Sequence, residues 1–359
     1  ASIKQLVCIA RALVREPKIL VLDEPTAALT EAETENLIAV IEQLRSKGIS
    51  CIYISHKLDE VFRISDRIVV MRDARVISAY ERAEFEPSRI IEDMIGRHID
   101  KMYPDMTDRQ IGEEVLRVEH MKVQHPSSYK NIIEDVGFSV RKGEVLGLAG
   151  LVGSGRTELM RAVFGALPRL EGKVYLEGRE VRIDSPKAAI DKGIGMLTED
   201  RKKDGIVGSM NIGENMTLSI LKKLRNRLAL NKKREKQCVD EYFSALNIKA
   251  PSARTSILNL SGGNQQKVVL AKSLLTDMKV LFLDEPTRGI DVGAKAEIYK
   301  IIKELSLKGL SIVMVSSEYP ELVAMCDRSV VLGKGRVLGE LDREHASEKE
   351  IIRIASFEK

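Results

Sequence analysis

A nine-residue string occurs twice, nearly unchanged. Residues 18–26 read Lys-Ile-Leu-Val-Leu-Asp-Glu-Pro-Thr and residues 279–287 read Lys-Val-Leu-Phe-Leu-Asp-Glu-Pro-Thr, an offset of 261 positions. The same offset aligns Gly48 with Gly309, Ser55 with Ser316, and Asp66-Arg67 with Asp327-Arg328. Over residues 8–30 against 269–291, 9 of 23 positions are identical without a gap. The chain therefore carries two copies of one unit, and any fold assigned to it must accommodate both. The copies are unequal, because the stretch 114–268 has no counterpart ahead of Ala1. Residues 1–95 are expected to be the C-terminal part of a first domain, 96–114 a linker and 115–359 a complete second domain. Tyr103-Pro104 and Gly112 in a polar, mixed-charge stretch suit a connector. The opening Ala1-Ser2-Ile3-Lys4-Gln5, without Met, reads as the continuation of a longer protein.

The repeated string ends a short apolar run in acids, as a buried parallel strand does. Lys18–Leu22 and Val280–Leu283 form one such pair, and Ser50–Ser55 and Ser311–Ser316 a second. Helical patterns lie between them at 31–47 and 294–308, with acids toward the start and Lys at the end, as the helix dipole favours. Strand–helix–strand alternation predicts an α/β fold with a parallel sheet. At 44% hydrophobic residues the chain can fill such cores. A net charge of +4, no Trp and 15 Tyr+Phe argue against a nucleic-acid surface. Residues 221–236 do hold eight basic residues against Glu235, but without aromatic interleaving they read as a solvated helical face. No apolar stretch approaches the ~20 residues of a membrane span. Cys8, Cys51, Cys238 and Cys326 form no CxxC pair, which fits a reducing compartment and no zinc ribbon.

Chemistry concentrates at three places in the second copy. Gly150-Leu-Val-Gly153-Ser154-Gly155-Arg156-Thr157 follows an apolar strand and opens a helix, the spacing of a phosphate-binding loop with Arg in the Lys position. Its glycines let backbone amides turn inward on a phosphate, and the helix points its positive end there. Thr157 is the Mg²⁺-facing hydroxyl, and Asp284 fits the Mg²⁺-facing acid of a P-loop ATPase. Glu285 is the natural general base for an attacking water. Leu260-Ser261-Gly262-Gly263-Asn264-Gln265-Gln266 opens a further helix, with Ser261 placed as its N-cap.

The run from Leu260 to Gln266 followed by Leu-Asp-Glu-Pro-Thr resembles the signature and Walker B motifs of ABC ATPases. Thr198-Glu199-Asp200-Arg201-Lys202-Lys203-Asp204-Gly205, the loop with Arg156, and the stretch from Glu285 to Ala294 narrow the resemblance. Together they resemble the tandem ATP-binding subunit of bacterial monosaccharide importers, over nearly the whole chain. The resemblance implies a P-loop NTPase (ABC ATPase) fold with a parallel core sheet, an antiparallel β subdomain and a helical signature subdomain. It implies ATP and Mg²⁺, transmembrane permease subunits contacting the surface near Glu199–Gly205 and the helical subdomain, and indirectly a sugar-binding protein outside the cell. The location it implies is the cytoplasmic face of the membrane, and a homodimer is compatible with it.

In this family two ATPase units close face to face over two ATPs. By resemblance the first unit contributes Asp23 toward the metal, Glu24 as base and His56 as the switch histidine. Ser261, Gly262, Gly263 and Gln265 are the signature residues of the second. The second site departs from the pattern in three residues. Arg156 replaces Lys, Glu199 stands where a glutamine is usual, and Ser317 stands where the first copy has His56. Its opposing signature would fall at Ser2–Gln5. The resemblance thus implies hydrolysis at the first site and mainly nucleotide holding at the second, with this chain alone binding nucleotide but turning over little. Tyr129 could stack on adenine or be a surface tyrosine. A soluble tandem ABC protein acting on ribosomes or DNA is the competing reading, disfavoured by Arg156 and the short 96–114 seam.

Overall fold

A computed structural model describes residues 17–26, 29, 31–55, 57–72, 74–95, 102–125, 128, 130–226 and 229–356, with the single positions 7, 11 and 14. Two compact units are present, one formed by residues 1–100 with 291–293 and the other by 101–290 with 294–359.

In the first unit, β1 (Ile19–Asp23) pairs in parallel with β2 (Ser50–Ile54), joined through α1 (Glu31–Ser46). Helix α2 (Leu58–Ile64) leads to the antiparallel pair β3 (Arg67–Arg72) and β4 (Arg75–Glu81), and α3 (Pro87–Ile95) follows. Alternate residues separate cleanly. Leu20 and Leu22 pack with Leu37, Ile38 and Ile41, whereas Ile19, Val21, Ile52 and Ile54 point outward and are about half exposed.

The second unit is built on one ten-stranded sheet. Its strands are β5 (Glu114–Gln124), β6 (Asn131–Arg141), β7 (Val145–Gly150), β8 (Glu171–Leu176), β9 (Arg179–Glu180), β10 (Ile194–Leu197), β11 (Val280–Asp284), β12 (Ser311–Val315), β13 (Arg328–Gly333) and β14 (Arg336–Asp342). Strands β10, β11, β12, β7 and β13 are parallel neighbours in that order. β14 turns back antiparallel to β13, and β5, β6, β8 and β9 continue as antiparallel pairs. The parallel strands are buried on both faces, so their sequences read as unbroken apolar runs rather than alternating ones. Leu281, Leu283, Ile312 and Met314 face one core with α9 (Gly262–Leu274), α10 (Val292–Leu307) and α11 (Tyr319–Met325). Val280, Phe282, Val313 and Val315 face the other, against α4 (Arg156–Val163) and the antiparallel strands. Helix α5 (Pro186–Asp191) precedes β10, helices α6 (Ile212–Thr217), α7 (Leu221–Leu224) and α8 (Lys232–Ala245) fill the segment between β10 and α9, and α12 (Glu348–Ser356) follows β14.

The 261-residue offset holds at every element of the first unit, from β1 and β11 to α3 and α12. Even the strand register is repeated, Ile19 opposite Ser50 and Val280 opposite Ser311. Two local expectations fail. Helix α10 carries no acid in its first turn and no base in its last, so its stability comes from the buried Ile298, Tyr299 and Ile302 rather than from dipole complementation. Residues 102–113 form neither helix nor strand, but Met106 is buried in the second unit's core and Tyr103 stacks on Tyr299 with ring centroids 5.0 Å apart. Arg109, almost fully buried, fixes this stretch through a 2.6 Å ion pair with Asp327. Among the described residues no helix is long and apolar enough to cross a membrane.

Candidate functional site

The loop Gly150–Gly155 leaves the C-terminal end of β7, between β12 and β13, at the edge where ligands bind in parallel sheets. Gly150, Gly153 and Gly155 all have positive φ, at 147°, 83° and 93°. A Cβ on Gly150 would lie 2.3 Å from the Leu332 carbonyl oxygen, and one on Gly155 2.5 Å from Ile133. Glycine is therefore required twice over, by dihedral and by space. Gly153 has open space around it and needs only its dihedral. Gly155 is the N-cap of α4, whose first amides carry no side-chain cap. This leaves a ring of backbone donors at a helix N-terminus, suited to phosphate oxygens.

Asp284, the last residue of β11, is completely buried beside this loop. Its Oδ1 accepts a 3.1 Å hydrogen bond from Thr157 Oγ1. Burial is the main reason its pKa rises to about 6, partly offset by the Thr157 hydrogen bond and then Arg161 and Arg156. Its Oδ2 is buried without a partner, and so is Ser154 Oγ. A buried carboxylate oxygen with nothing to bond is costly. A phosphate-bound hydrated cation would satisfy one atom and a phosphate oxygen the other. One carboxylate and one hydroxyl match Mg²⁺, which keeps most of its shell as water and phosphate. Among the described residues no cluster of three His, Cys, Asp or Glu side chains forms a self-sufficient metal cage.

Glu285 follows with φ 49°, a left-handed conformation unusual for a side-chain-bearing residue. Its amide donates to the Val315 carbonyl at 3.0 Å, and its Oε2 accepts from Ser317 Oγ at 3.1 Å. Burial raises its pKa to about 7, with Ser317 and Arg156 opposing. Arg156 is buried too, and Nη1 donates to the Ser316 carbonyl at 3.0 Å. The guanidinium is thus partly committed to the end of β12, as a lysine ammonium in its place need not be.

Behind these groups lies a carboxylate that the sequence did not single out. Glu321, fully buried, accepts from Thr287 Oγ1 at 2.6 Å, from Ser316 Oγ at 2.8 Å and from Tyr299 Oη. Lys295 Nζ stands 3.5 Å away. Burial, then the Glu321 charge, pushes the Tyr299 phenol up, so it stays a donor. The repeat would have revealed this residue, since Glu60 stands at the equivalent position. Glu60 accepts from Thr26 Oγ1 at 2.8 Å and from Tyr53 Oη at 2.7 Å.

Ser261 sits at the N-cap of α9 but does not cap it. Its Oγ accepts from Asn264 Nδ2 at 3.0 Å, while Asn264 Oδ1 takes the Lys249 amide at 2.8 Å. Gly263 is buried, its Cβ position 2.4 Å from Ala294 Cβ. Gln265 is also buried, with its amide spent on the Ile257 carbonyl at 3.2 Å and on Arg201. Glu199 is paired with Arg288. In the first unit Asp23 ends β1, and Glu24, at φ 45°, donates its amide to Ile54 as Glu285 does to Val315. His56, Tyr129 and Ser2–Gln5 lie outside the described residues.

The sequence profile of the ABC transporter family matches residues 133–288. The xylose import ATP-binding protein XylG of Moorella thermoacetica is 49% identical over 355 residues, which is 98% of this chain and 70% of that protein. The ribose import ATP-binding protein RbsA of Caldanaerobacter subterraneus subsp. tengcongensis is 47% identical over 350 residues, 97% of this chain and 69% of the relative. Among solved structures, an ATP-binding cassette of an ABC transporter matches with a TM-score of 0.59 at 22% identity, covering 67% of this chain and 98% of the cassette. A cassette in a dimeric post-hydrolysis state bound to ADP and Pi matches with a TM-score of 0.56 at 19% identity, over 64% of this chain and 98% of its own. At those identities the likeness is one of fold.

Proposed function

The chain belongs to the ATP-binding proteins of bacterial ABC sugar importers, and from that premise we propose how its residues share the work of binding and hydrolysing ATP. As an ATPase subunit of such an importer, it couples ATP binding and hydrolysis to the uptake of a sugar that crosses through membrane subunits. We place it at the cytoplasmic face of the membrane, with permease subunits bearing on the surface around Glu199–Gly205.

The observation that carries the assignment is the meeting of Thr157 and Asp284 at the mouth of the Gly150–Gly155 loop, with two orphaned oxygens beside them. The loop amides and the N-terminus of α4 hold the phosphates. Ser154 Oγ binds a phosphate oxygen, and Thr157 and Asp284 hold Mg²⁺. The metal, when bound, neutralises charge on the phosphates. Glu285 is placed to accept the proton of an attacking water, and Ser317 Oγ fixes the carboxylate that would do so. Arg156 supplies positive charge while tethered to Ser316, so this site binds nucleotide and hydrolyses it slowly. Asp23 and Glu24 take the metal-facing and base roles of the first unit, with His56 as its γ-phosphate sensor. Ser261, Gly262 and Gly263 present the signature.

Separate Glu24→Gln and Glu285→Gln substitutions in the full-length protein test this division. Glu24→Gln is expected to abolish steady-state turnover, and Glu285→Gln to lower it by a smaller factor. Equal losses would overturn the asymmetry. Binding of a fluorescent ATP analogue that is indifferent to Thr157→Val and to Mg²⁺ would overturn the site itself.

A further inference from the structure

The segment after β10 is tied to two other motifs by one side chain. Arg201 Nη1 donates to the Arg288 carbonyl at 2.7 Å and Nη2 to the Gly289 carbonyl at 3.1 Å. Arg201 Nε reaches Gln265 Oε1, on the signature helix α9, at 3.4 Å. The three acceptors lie 64 to 88 positions away in sequence. The fit leaves no slack: a Cβ on Gly262 would stand 2.7 Å from Arg201 Nη2 and 2.8 Å from the Gly289 oxygen. Gly289 itself has φ 64° and turns its carbonyl toward the guanidinium. Burial lowers the Arg201 pKa, but an arginine stays charged through such a shift.

A second link runs the opposite way. Glu199 pairs with the side chain of Arg288, the residue whose backbone Arg201 holds. At the far end of the segment, Lys272 of α9 donates to the Gly205 carbonyl. Between these anchors the chain makes a single wide π-helical turn over Arg201–Gly205, capped by Asp200 Oδ1 on the amides of Lys202 and Lys203, both at 3.1 Å. The outer side of this turn, Lys202, Lys203 and Asp204, is exposed. One face of the segment, on which Asp204 Oδ2 accepts from Arg161 Nη2 at 3.3 Å, is therefore open to a partner at Lys202 and Lys203 while the other is bolted to the Glu285–Gly289 loop and to the signature.

We propose that Arg201 is a positioning residue that makes the 199–205 segment, the start of the signature helix and the loop following Glu285 move as one body. A partner pressing on Lys202–Asp204 then changes turnover through that guanidinium. The proposal rests on the assignment of the chain to an importer whose permease meets this surface. A planar fork with five donors can hold three acceptors at once, whereas an ammonium cannot span them.

The test uses the full-length protein reconstituted with its membrane subunits in liposomes, with ATPase rates measured with and without loaded sugar-binding protein. Arg201→Gln is expected to cut the stimulated kcat at least tenfold while KM for ATP stays within twofold, and Arg201→Lys to fail to rescue it. Arg288→Gln, which breaks the Glu199 pair and spares the carbonyls that Arg201 holds, is expected to lower stimulation by a smaller factor, about threefold, and Arg201→Lys decides the matter if Arg201→Gln does not fold. Hydrogen exchange in Arg201→Gln should rise together at residues 262–265 and 286–290. Wild-type stimulation in both variants, or a loss confined to KM, overturns the proposal. A wild-type protein that binds ATP but is not stimulated by the membrane subunits overturns the importer coupling on which it rests, and the proposal with it.

Discussion

Glu321→Ala is the substitution whose cost follows most directly from the geometry. The carboxylate is fully buried and balanced by three hydroxyl donors and the Lys295 ammonium. Removing it strands the Thr287 and Tyr299 hydroxyls, at about 1–3 kcal/mol each. Ser316 Oγ loses less, because it still accepts the Glu318 amide at 3.0 Å. Lys295 keeps its bonds to Glu318. Breaking a buried charge network costs about 3–5 kcal/mol, and water entering the vacated space limits the loss. A value of about 4 kcal/mol follows. At roughly 2–4 °C per kcal/mol for a domain of this size, the second unit's transition should fall by about 8–16 °C. Glu60→Ala in the first unit is the internal control. Glu60 takes two hydroxyl bonds and a Lys57 contact of 3.1 Å, and it is more accessible to water. Its loss should cost about 2 kcal/mol. Calorimetry of the two variants reads both numbers from the same chain. A shift under about 3 °C for Glu321→Ala, or a larger effect at Glu60, would refute the reasoning.

The other predictions concern the nucleotide site and the connecting stretch. Gly150→Ala should destroy nucleotide binding and destabilise the chain, since the new Cβ meets the Leu332 carbonyl at 2.3 Å, and calorimetry with an ATP titration would show both. Arg156→Lys, in a Glu24→Gln background, should raise turnover at the second site by releasing the Ser316 tether, and an unchanged rate in a phosphate-release assay would contradict it. Chelating Mg²⁺ should weaken ATP binding in the wild type but hardly in Asp284→Asn, as isothermal titration would register. Arg109→Ala should cost about 2–4 kcal/mol, because Asp327 loses a buried partner and keeps only Arg343 and the Val145 amide, and urea denaturation would measure it.

What the sequence disclosed was what lies close along the chain. The strand ends at Asp23 and Asp284, the loop Gly150–Thr157 and the α/β alternation are local patterns, and the 261-residue offset needs only a comparison of the chain with itself. What stayed hidden depends on register between distant segments. Arg201 sits in a run of six charged residues, 199–204, and only the folded chain brings Gly289 to it. Glu321 looks like an ordinary helix acid until the end of β12 and the Thr287 turn converge on it. Ser261 has the right residue type for a cap, but Asn264 competes for its hydroxyl, a contest that composition does not decide.

The left-handed backbone at Glu24 and Glu285 carries one more meaning. Each copy holds a glutamate at φ 45° or 49°, a conformation costing on the order of 1–3 kcal/mol. The side chains around the two have diverged, with Ser317 standing where the other copy has His56, yet the strained turn is the same in both. The two copies thus differ in groups that a single substitution can exchange and share the backbone geometry that is costly to build. Giving the second copy the side chains of the first would therefore require no new backbone at this turn.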